Sequence, residues 1–138
     1  MSDWNSNIIE EFRANAGSVG GMFEGAPLLL LHSTGRRTGD ERVNPMMFLA
    51  DGDRWIVFAS KGGHTAHPHW LHNLEANPDA TIEVGTETIP VKATVLREGP
   101  ERDELYARQV AAYPQFGEYE EKTKGHRTIP VIVLERAG

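Results

Sequence analysis

Three arginines lie close together in a short glycine-containing stretch between two predicted strands. The stretch STGRRTGDER, residues 33 to 42, contains Arg36, Arg37 and Arg42. Its two glycines let backbone amides converge on an anion, and guanidinium groups match the geometry of a phosphate. This stretch, which we call the basic turn, predicts a site for a small anionic ligand. A solvated surface hairpin remains the alternative, because charged turns are common.

A second stretch whose residue types suit ligand binding is SKGG, which follows the apolar sequence RWIVFA. It consists of Ser60, Lys61, Gly62 and Gly63. A strand that ends in a hydroxyl, a lysine and two glycines lets a flat ligand lie against the main chain, and Lys61 supplies a positive charge. We therefore predict that the ring of a ligand lies here.

Trp70 and Asn73 follow on the next predicted helix at i and i+3, so their side chains share a face. This spacing predicts that both border the same ligand. The alternative is structural: Trp70 belongs to the core, and Asn73 caps the helix or pairs with a neighbouring loop.

Four histidines fall within nine positions, at His64, His67, His69 and His72. A zinc site needs three or four ligands that converge on one point. The sequence has no cysteine and no HExxH, and Glu75 is the acid nearest to the cluster. We therefore expect no metal site, and we expect His72 to be half-buried with a hydrogen-bond partner.

The composition is that of a soluble globular protein, with 39% hydrophobic and 25% charged residues among 138. The net charge of −6 argues against general nucleic-acid binding. The lack of cysteine excludes disulfides and thiol catalysis. The first residues, MSDWNSNIIEEF, do not have the pattern of a signal peptide, and the longest apolar run is too short to span a bilayer. We expect a cytoplasmic protein.

The elements that must position these residues are mostly strands. Hydrophobic patterning predicts strands at 26–33, 42–50, 54–60, 80–84, 88–96 and 129–135, and helices at 5–15, 68–76 and 100–112. Asp51-Gly52-Asp53 and Gly85 predict hairpins, and Pro90 predicts an edge or a bulge at its own position.

Strands joined mainly by hairpins predict a mainly β protein with short helices, folded as a small closed or split β-barrel. We expect residues 1–138 to form one ligand-binding domain, with residues 1–20 as an N-terminal helix and a connecting loop.

The combination of TGRRTG, SKGG, PxWxxNL and the closing RTIPVIVLE resembles the deazaflavin-dependent nitroreductase family of actinobacterial type. The resemblance covers nearly the whole chain. It implies a split barrel related to FMN-binding flavin reductases. It also implies coenzyme F-420, an 8-hydroxy-5-deazaflavin with a phosphate and a polyglutamyl tail. The cofactor-binding residues that it implies are Arg36, Arg37, Arg42, Pro45, Ala59, Ser60, Lys61, Gly62, Gly63, Pro68, Trp70 and Asn73.

The stretch AAYPQFGEYEEKT, residues 111 to 123, places Tyr113, Phe116 and Tyr119 three positions apart. Relatives that reduce nitroimidazoles have aromatic residues in this region, over the substrate side of the ring. The resemblance therefore implies Tyr113 or Tyr119 as proton donor or substrate contact, with water as the alternative, and Phe116 as a substrate-lining residue. The structural alternative is that all three aromatics only pack a helix onto the barrel.

The resemblance implies an oxidoreductase that transfers a hydride from reduced coenzyme F-420 to a small electron-poor acceptor, such as a quinone, an enone or a nitroaromatic. An FMN-dependent enzyme of the same fold and a non-catalytic deazaflavin carrier are the alternatives. We expect a monomer or homodimer. Acidic residues beside Ile8, Ile9 and Phe12 predict at most weak peripheral contact of the first helix with the inner face of the membrane.

Overall fold

The computed structural model describes residues 3–15, 17, 27–60 and 67–137, with side chains from residue 7 onward in the first segment. Within these residues, four helices and seven strands follow one another as α1 (Asp3–Ala14), β1 (Leu28–Thr34), β2 (Glu41–Met47), β3 (Leu49–Asp51), β4 (Arg54–Phe58), α2 (His69–Ala76), β5 (Asp79–Val84), β6 (Glu87–Leu96), α3 (Pro100–Ala112), α4 (Gln115–Thr123) and β7 (Val131–Arg136). None of these helices has the length and apolar character needed to cross a membrane.

The seven strands form one sheet in the order β2-β1-β5-β6-β7-β4-β3, and every neighbouring pair is antiparallel. The two edge strands, β2 and β3, are consecutive in the chain, with only Phe48 between them. A flat sheet cannot place its two edges one residue apart, so the sheet curls into a split barrel. This confirms the predicted fold class.

The predicted strand at 42–50 is therefore interrupted. Its first part pairs with β1, from Glu41 opposite Thr34 to Met47 opposite Leu28. The backbone N–H of Phe48 instead donates to the carbonyl oxygen of Pro27 at 3.1 Å, and the chain then pairs with β4. Residue periodicity could not reveal this change of partner, because both parts are extended.

Both predicted hairpins are confirmed. Asp51 pairs with Arg54 around a turn whose Gly52 has a φ of 60°. Val84 pairs with Glu87 around Gly85, which has a φ of 59°. Glycine is favoured at both positions because a side chain disfavours such backbone angles.

The position of Pro90 differs from its prediction, since β6 lies between β5 and β7 and is not an edge strand. The β6–β7 ladder begins at Val91, opposite Arg136, and the Pro90 carbonyl accepts from the N–H of Ala137 at 3.0 Å. The N and carbonyl groups of one strand residue point to the same side. The missing N–H of Pro90 would therefore face β7 just beyond the last paired residues, so its absence removes no hydrogen bond from the interior of that ladder.

The apolar run at the start of β1 is buried on both faces. Leu29 and Leu31 lie in the core cluster inside the barrel, whereas Leu28 and Leu30 pack under Phe12 of α1. Successive strand residues point to opposite faces, so the continuous run reflects a strand covered on both sides.

A polar network holds α1 on the sheet. The guanidinium of Arg13 donates to both carboxylate oxygens of Glu83, at 3.1 and 2.7 Å, and Nε2 of His32 lies 2.6 Å from Glu83 Oε2. The hydrogen bonds from Arg13 are the largest cause of a lowered pKa of the Glu83 carboxyl.

The helix α4, which the sequence analysis did not predict, covers the other side of the barrel together with α3. Phe116 of α4 packs edge-on against Phe58 of β4, with ring centroids 5.7 Å apart. Tyr106 of α3 is 1% exposed, and its hydroxyl donates to the carbonyl oxygen of Phe116 at 2.6 Å. Burial raises the pKa of Tyr106 above its ordinary value. The two helices are thus joined by one buried hydrogen bond.

We expect Tyr106→Phe to lower the free energy of unfolding by about 1–2 kcal/mol, because the buried hydrogen bond to the Phe116 carbonyl is lost while packing is kept. Urea denaturation measures this change. The matched control is Tyr119→Phe, whose hydroxyl makes no hydrogen bond within the described part of the chain; its effect should stay within about 0.5 kcal/mol. Equal losses in the two variants would contradict the assignment.

Candidate functional site

The direction of the strands brings two of the predicted site segments to the same end of the barrel. Strand direction reverses at each of the four antiparallel pairings from β1 through β5, β6 and β7 to β4. The strands β1 and β4 therefore run in the same direction. The basic turn after β1 and Ser60 after β4 therefore emerge at the same end, which we call the upper end. The hairpins at Gly52 and Gly85 lie at the lower end.

Internal hydrogen bonds fix the backbone of the basic turn. The N–H of Gly35 donates to the Asp40 carbonyl at 2.7 Å, and the N–H of Gly39 donates to the Gly35 carbonyl at 2.8 Å. Gly39 has a φ of 77°, as expected, but no positive φ is found at Gly35. A Cβ atom at Gly35 would instead lie 3.2 Å from both the Asp40 carbonyl oxygen and Thr38 Oγ1. Close packing therefore favours glycine there.

The basic turn carries arginines that have no carboxylate partner among the described residues. Arg37 and Arg42 are exposed, and neither makes an ion pair with a described residue. Arginines that do pair with carboxylates are Arg13, Arg54, Arg97, Arg102 and Arg108. The exposed guanidiniums of the turn are therefore not held by carboxylates of the described chain, and their geometry suits a phosphate.

Asn73 joins the basic turn to α2. Its Oδ1 accepts from the backbone N–H of Arg36 at 3.1 Å and from Arg36 Nη1 at 3.2 Å. Asn73 is 4% exposed, whereas Arg36 is exposed, so both bonds are partly buried. One structural alternative from the sequence is that Asn73 pairs with a neighbouring loop. The structure shows such a pairing, and the loop is the basic turn.

The rest of α2 also lies at the upper end. Pro68 is buried and precedes the first helical residue, with an extended backbone at φ −70° and ψ 152°. Trp70 is half-buried and packs against the core inside the barrel. Pro45 lies within β2, opposite Leu30. A ligand role for Pro45, Pro68 and Trp70 stays a prediction.

The end of β4 is held by a residue that the sequence analysis did not single out. Nη1 of Arg127 donates to the Ala59 carbonyl at 2.9 Å, and Nη2 donates to the Ser60 carbonyl at 2.9 Å. Ala59 and Ser60 are both buried. The contacts span 68 and 67 residues in sequence, so no local pattern could predict them. Lys61, Gly62 and Gly63 lie outside the described residues.

His67 contacts the same guanidinium. Its Nδ1 lies 3.0 Å from Arg127 Nη1, and its Nε2 lies 3.5 Å from Arg97 Nη1. Burial, followed by the charges of Arg127 and Arg97, lowers the pKa of His67 below its ordinary value. The imidazole is therefore held neutral at neutral pH.

The other histidines do not assemble a metal site within the described residues, which hold no group of three or more possible ligands. His64 lies outside these residues. His69 is exposed, and Nδ1 of His72, which is half-buried, lies 3.5 Å from a carboxylate oxygen of Glu75. The polar neighbour of His72 is thus an acid on its own helix, and the expected hydrogen bond stays a prediction.

The aromatic residues near α4 pack on the barrel wall. Phe116 is 5% exposed and lies edge-on to Tyr119, with ring centroids 5.1 Å apart. Tyr113 and Tyr119 are half-buried beside the same core cluster. Because Phe58 of this cluster directly precedes Ala59, the aromatics support the strand end. Their roles as proton donors or substrate contacts stay predictions.

A cleft of about 520 Å³ is lined by residues of α3, α4 and the segment before β7, and Arg127 forms part of its wall. The wall also contains Arg102, Glu120, Lys124 and His126. These charged side chains suit a polar ligand group better than an apolar ring.

Comparison with known proteins identifies relatives of the whole fold. The family described as F420H(2)-dependent quinone reductase matches residues 4–136. An F420H(2)-dependent quinone reductase of Mycobacterium tuberculosis is 38% identical over 91% of this chain and 85% of that protein. A solved F420-H2 dependent reductase (FDR-A) is 37% identical with a TM-score of 0.71, covering 79% of this chain and 94% of that one. A chain solved as a domain-swapped dimer is 34% identical with a TM-score of 0.72, covering 96% and 98%.

We expect Asn73→Ala to destabilise the protein by about 1–3 kcal/mol, because the backbone N–H and the guanidinium of Arg36 lose a buried acceptor. Amide exchange at Arg36 should also become faster, which mass spectrometry or NMR measures directly. His69→Ala, on the exposed part of the same helix, is the control and should leave both quantities nearly unchanged. Unchanged exchange at Arg36 in Asn73→Ala would show that this contact does not hold the turn.

Proposed function

The chain belongs to the F420H(2)-dependent quinone reductase family, and from that premise we propose that it transfers a hydride from reduced coenzyme F-420 to a quinone. The observation that carries this conclusion is the family match over residues 4–136. The protein is accordingly an oxidoreductase whose cofactor is coenzyme F-420, as the sequence resemblance implied.

The donor set at the upper end fits this cofactor. The phosphate and the polyglutamyl tail are anionic, and the basic turn offers Arg36, Arg37 and Arg42 without competing ion pairs from described residues. On a protein with a net charge of −6, such a turn attracts an anion locally. We assign the phosphate to these three arginines.

The end of β4 fits the flat ring. Ala59 and Ser60 are buried, and their carbonyls are already occupied by Arg127. Their positions are thereby fixed before a ligand binds, which is what a ring lying against the main chain requires. We assign the ring to this strand end and to the following Lys61, Gly62 and Gly63.

When bound, the reduced deazaflavin ring supplies a hydride from its C5. A quinone that accepts a hydride also needs one proton to become a quinol, so two electrons and two hydrogens are transferred in all. The chain's task is to orient the acceptor and to deliver that proton. Tyr113, Tyr119 or a water molecule would serve as the donor, and Phe116 would line the acceptor side.

The remaining features of the proposal concern partners and location. The acceptor is a small molecule of quinone type, and enones and nitroaromatics are further candidates. The net charge of −6 does not suit nucleic acid. We propose a cytoplasmic protein of one domain, monomeric or homodimeric, with at most weak contact of α1 with the membrane face.

Two measurements test the function. Titration of the protein should give tight binding of coenzyme F-420 and much weaker binding of FMN. Reduced coenzyme F-420 should then be oxidised faster in the presence of the protein and a quinone such as menadione. Preference for FMN would favour the FMN-dependent alternative. Binding of F-420 without turnover of any quinone, enone or nitroaromatic would instead favour a carrier.

Arg42→Ala should weaken binding of coenzyme F-420 by about 1.5–3 kcal/mol, the range for hydrogen bonds to charged groups. This corresponds to roughly 10- to 150-fold in the dissociation constant. An analogue that ends at the ribityl hydroxyl should bind wild type and variant equally, because it lacks the phosphate. The matched control is Arg108→Ala, since Arg108 pairs with Asp51 at the lower end. A loss that persists with the truncated analogue would place Arg42 elsewhere on the cofactor.

A further inference from the structure

Arg127 is a bridge between three parts of the chain. Its two terminal nitrogens donate to the carbonyls of Ala59 and Ser60, each at 2.9 Å. One of these nitrogens, Nη1, also lies 3.0 Å from Nδ1 of His67. Burial lowers the pKa of the Arg127 guanidinium, yet it stays charged at any physiological pH. Whatever orients Arg127 therefore also orients the end of β4.

His67 can orient Arg127 only when Nδ1 carries no proton. A guanidinium has donors and no acceptor, so the 3.0 Å contact requires Nδ1 to accept. The neutral imidazole then has its proton on Nε2, which faces Arg97 Nη1 at the longer distance of 3.5 Å. Protonation of Nδ1 would place its N–H against an N–H of Arg127. It would also place a positive imidazolium against the positive guanidinium.

The groups around His67 oppose that protonation. Arg127 faces the ring from the segment before β7, and Arg97 faces it from the segment after β6. The ring of His72 on α2 lies edge-on at 5.8 Å. Glu75 would favour a charged His67, but its two oxygens accept from Arg97 at 2.8 and 2.7 Å. The surroundings are thus predominantly positive.

We propose that His67 and Arg127 act together as positioning residues for the cofactor: neutral His67 holds Arg127 across the carbonyls of Ala59 and Ser60, and protonation of His67 releases this clamp, so that cofactor binding weakens as the pH falls. This inference rests on the proposed function, since it takes the end of β4 as the place of the deazaflavin ring.

The direction of the pH effect follows from the two protonation states. An unconstrained histidine has a pKa of about 6.5, and the folded chain lowers that of His67. The clamp is therefore fully formed above about pH 6.5 and is lost as the pH falls through the lower folded value. One linked proton changes the dissociation constant by at most about tenfold per pH unit.

The test compares dissociation constants for coenzyme F-420 at pH 8 and pH 5.5 in wild type and His67→Asn. The Oδ1 of asparagine accepts a hydrogen bond near the place of Nδ1 and does not titrate. At pH 8 the two proteins should agree within about threefold. The ratio of wild-type to variant constants should be larger at pH 5.5 than at pH 8, and it should grow further as the pH is lowered, by at most about tenfold per pH unit. Because both proteins bind the same cofactor at each pH, any effect of the cofactor's own protonation on binding cancels in this ratio.

Three further variants sharpen the comparison. His67→Ala should bind weakly at both pH values, because its acceptor is absent throughout. Arg127→Lys should also bind weakly at both, since an ammonium cannot span the two carbonyls as the guanidinium does. His69→Asn, an exposed histidine two positions away, should follow wild type at both pH values.

A second readout needs no cofactor. Amide exchange in the segment 57–60 should be faster in wild type than in His67→Asn at pH 5.5 and equal in the two proteins at pH 8. A binding ratio and an exchange difference that both stay constant down to the lowest pH at which the chain is folded would overturn the clamp, while binding at pH 8 would still support the proposed function. Absence of F-420 binding by wild type at pH 8 would overturn the proposed function, and the exchange data would still decide whether the clamp exists.

Discussion

The single residue between β2 and β3 determines how this molecule is built. Met47 is the last residue of β2 that pairs with β1, and Leu49 is the first residue of β3 that pairs with β4. Phe48 connects the two strands. Since β2 and β3 are the two edges of the sheet, the sheet must curl until its edges meet. The curl encloses the main core cluster, and the antiparallel order then sends β1 and β4 out at the same end. The basic turn and the end of β4 lie at the same end of the barrel because of this topology, although they are distant in sequence.

The second level of organisation is electrostatic. Most arginines of this acidic protein are used for attachment: Arg13 holds α1 on β5, and Arg54 and Arg108 converge on Asp51 at the lower end. The basic turn differs, because its backbone is held by its own hydrogen bonds and by Asn73, so Arg37 and Arg42 are not needed to hold it. Exposed ion pairs contribute little to stability, so these unpaired guanidiniums remain available for the ligand that we propose.

The sequence predicted the features that depend on neighbours in the chain. The turn glycines at Gly52 and Gly85, the apolar run covered on both faces and the helices after Pro68 and at Pro100 are local patterns. It did not predict α4, whose Gly117 weakens the helical signal and whose order depends on packing against Phe58. Nor did it predict Arg127, whose partners are about 67 residues away and meet it only when β4 pairs with β7. Local sequence patterns cannot predict site residues whose role depends on a contact with a distant part of the chain.

The histidine cluster shows how topology changes the meaning of a motif. In sequence, four imidazoles within nine positions suggest a metal, whose ligands must be neutral and must converge. In the fold, His67 is neutral for another reason: it is partly buried, two guanidiniums face it, and one of them needs an acceptor. A residue that is neutral, semi-buried and hydrogen-bonded to a cation is well suited to fix a side chain and poorly suited to collect ligands around a cation. The chemistry of this stretch therefore lies in the acceptor capacity of one imidazole, and its consequence reaches the strand end through Arg127.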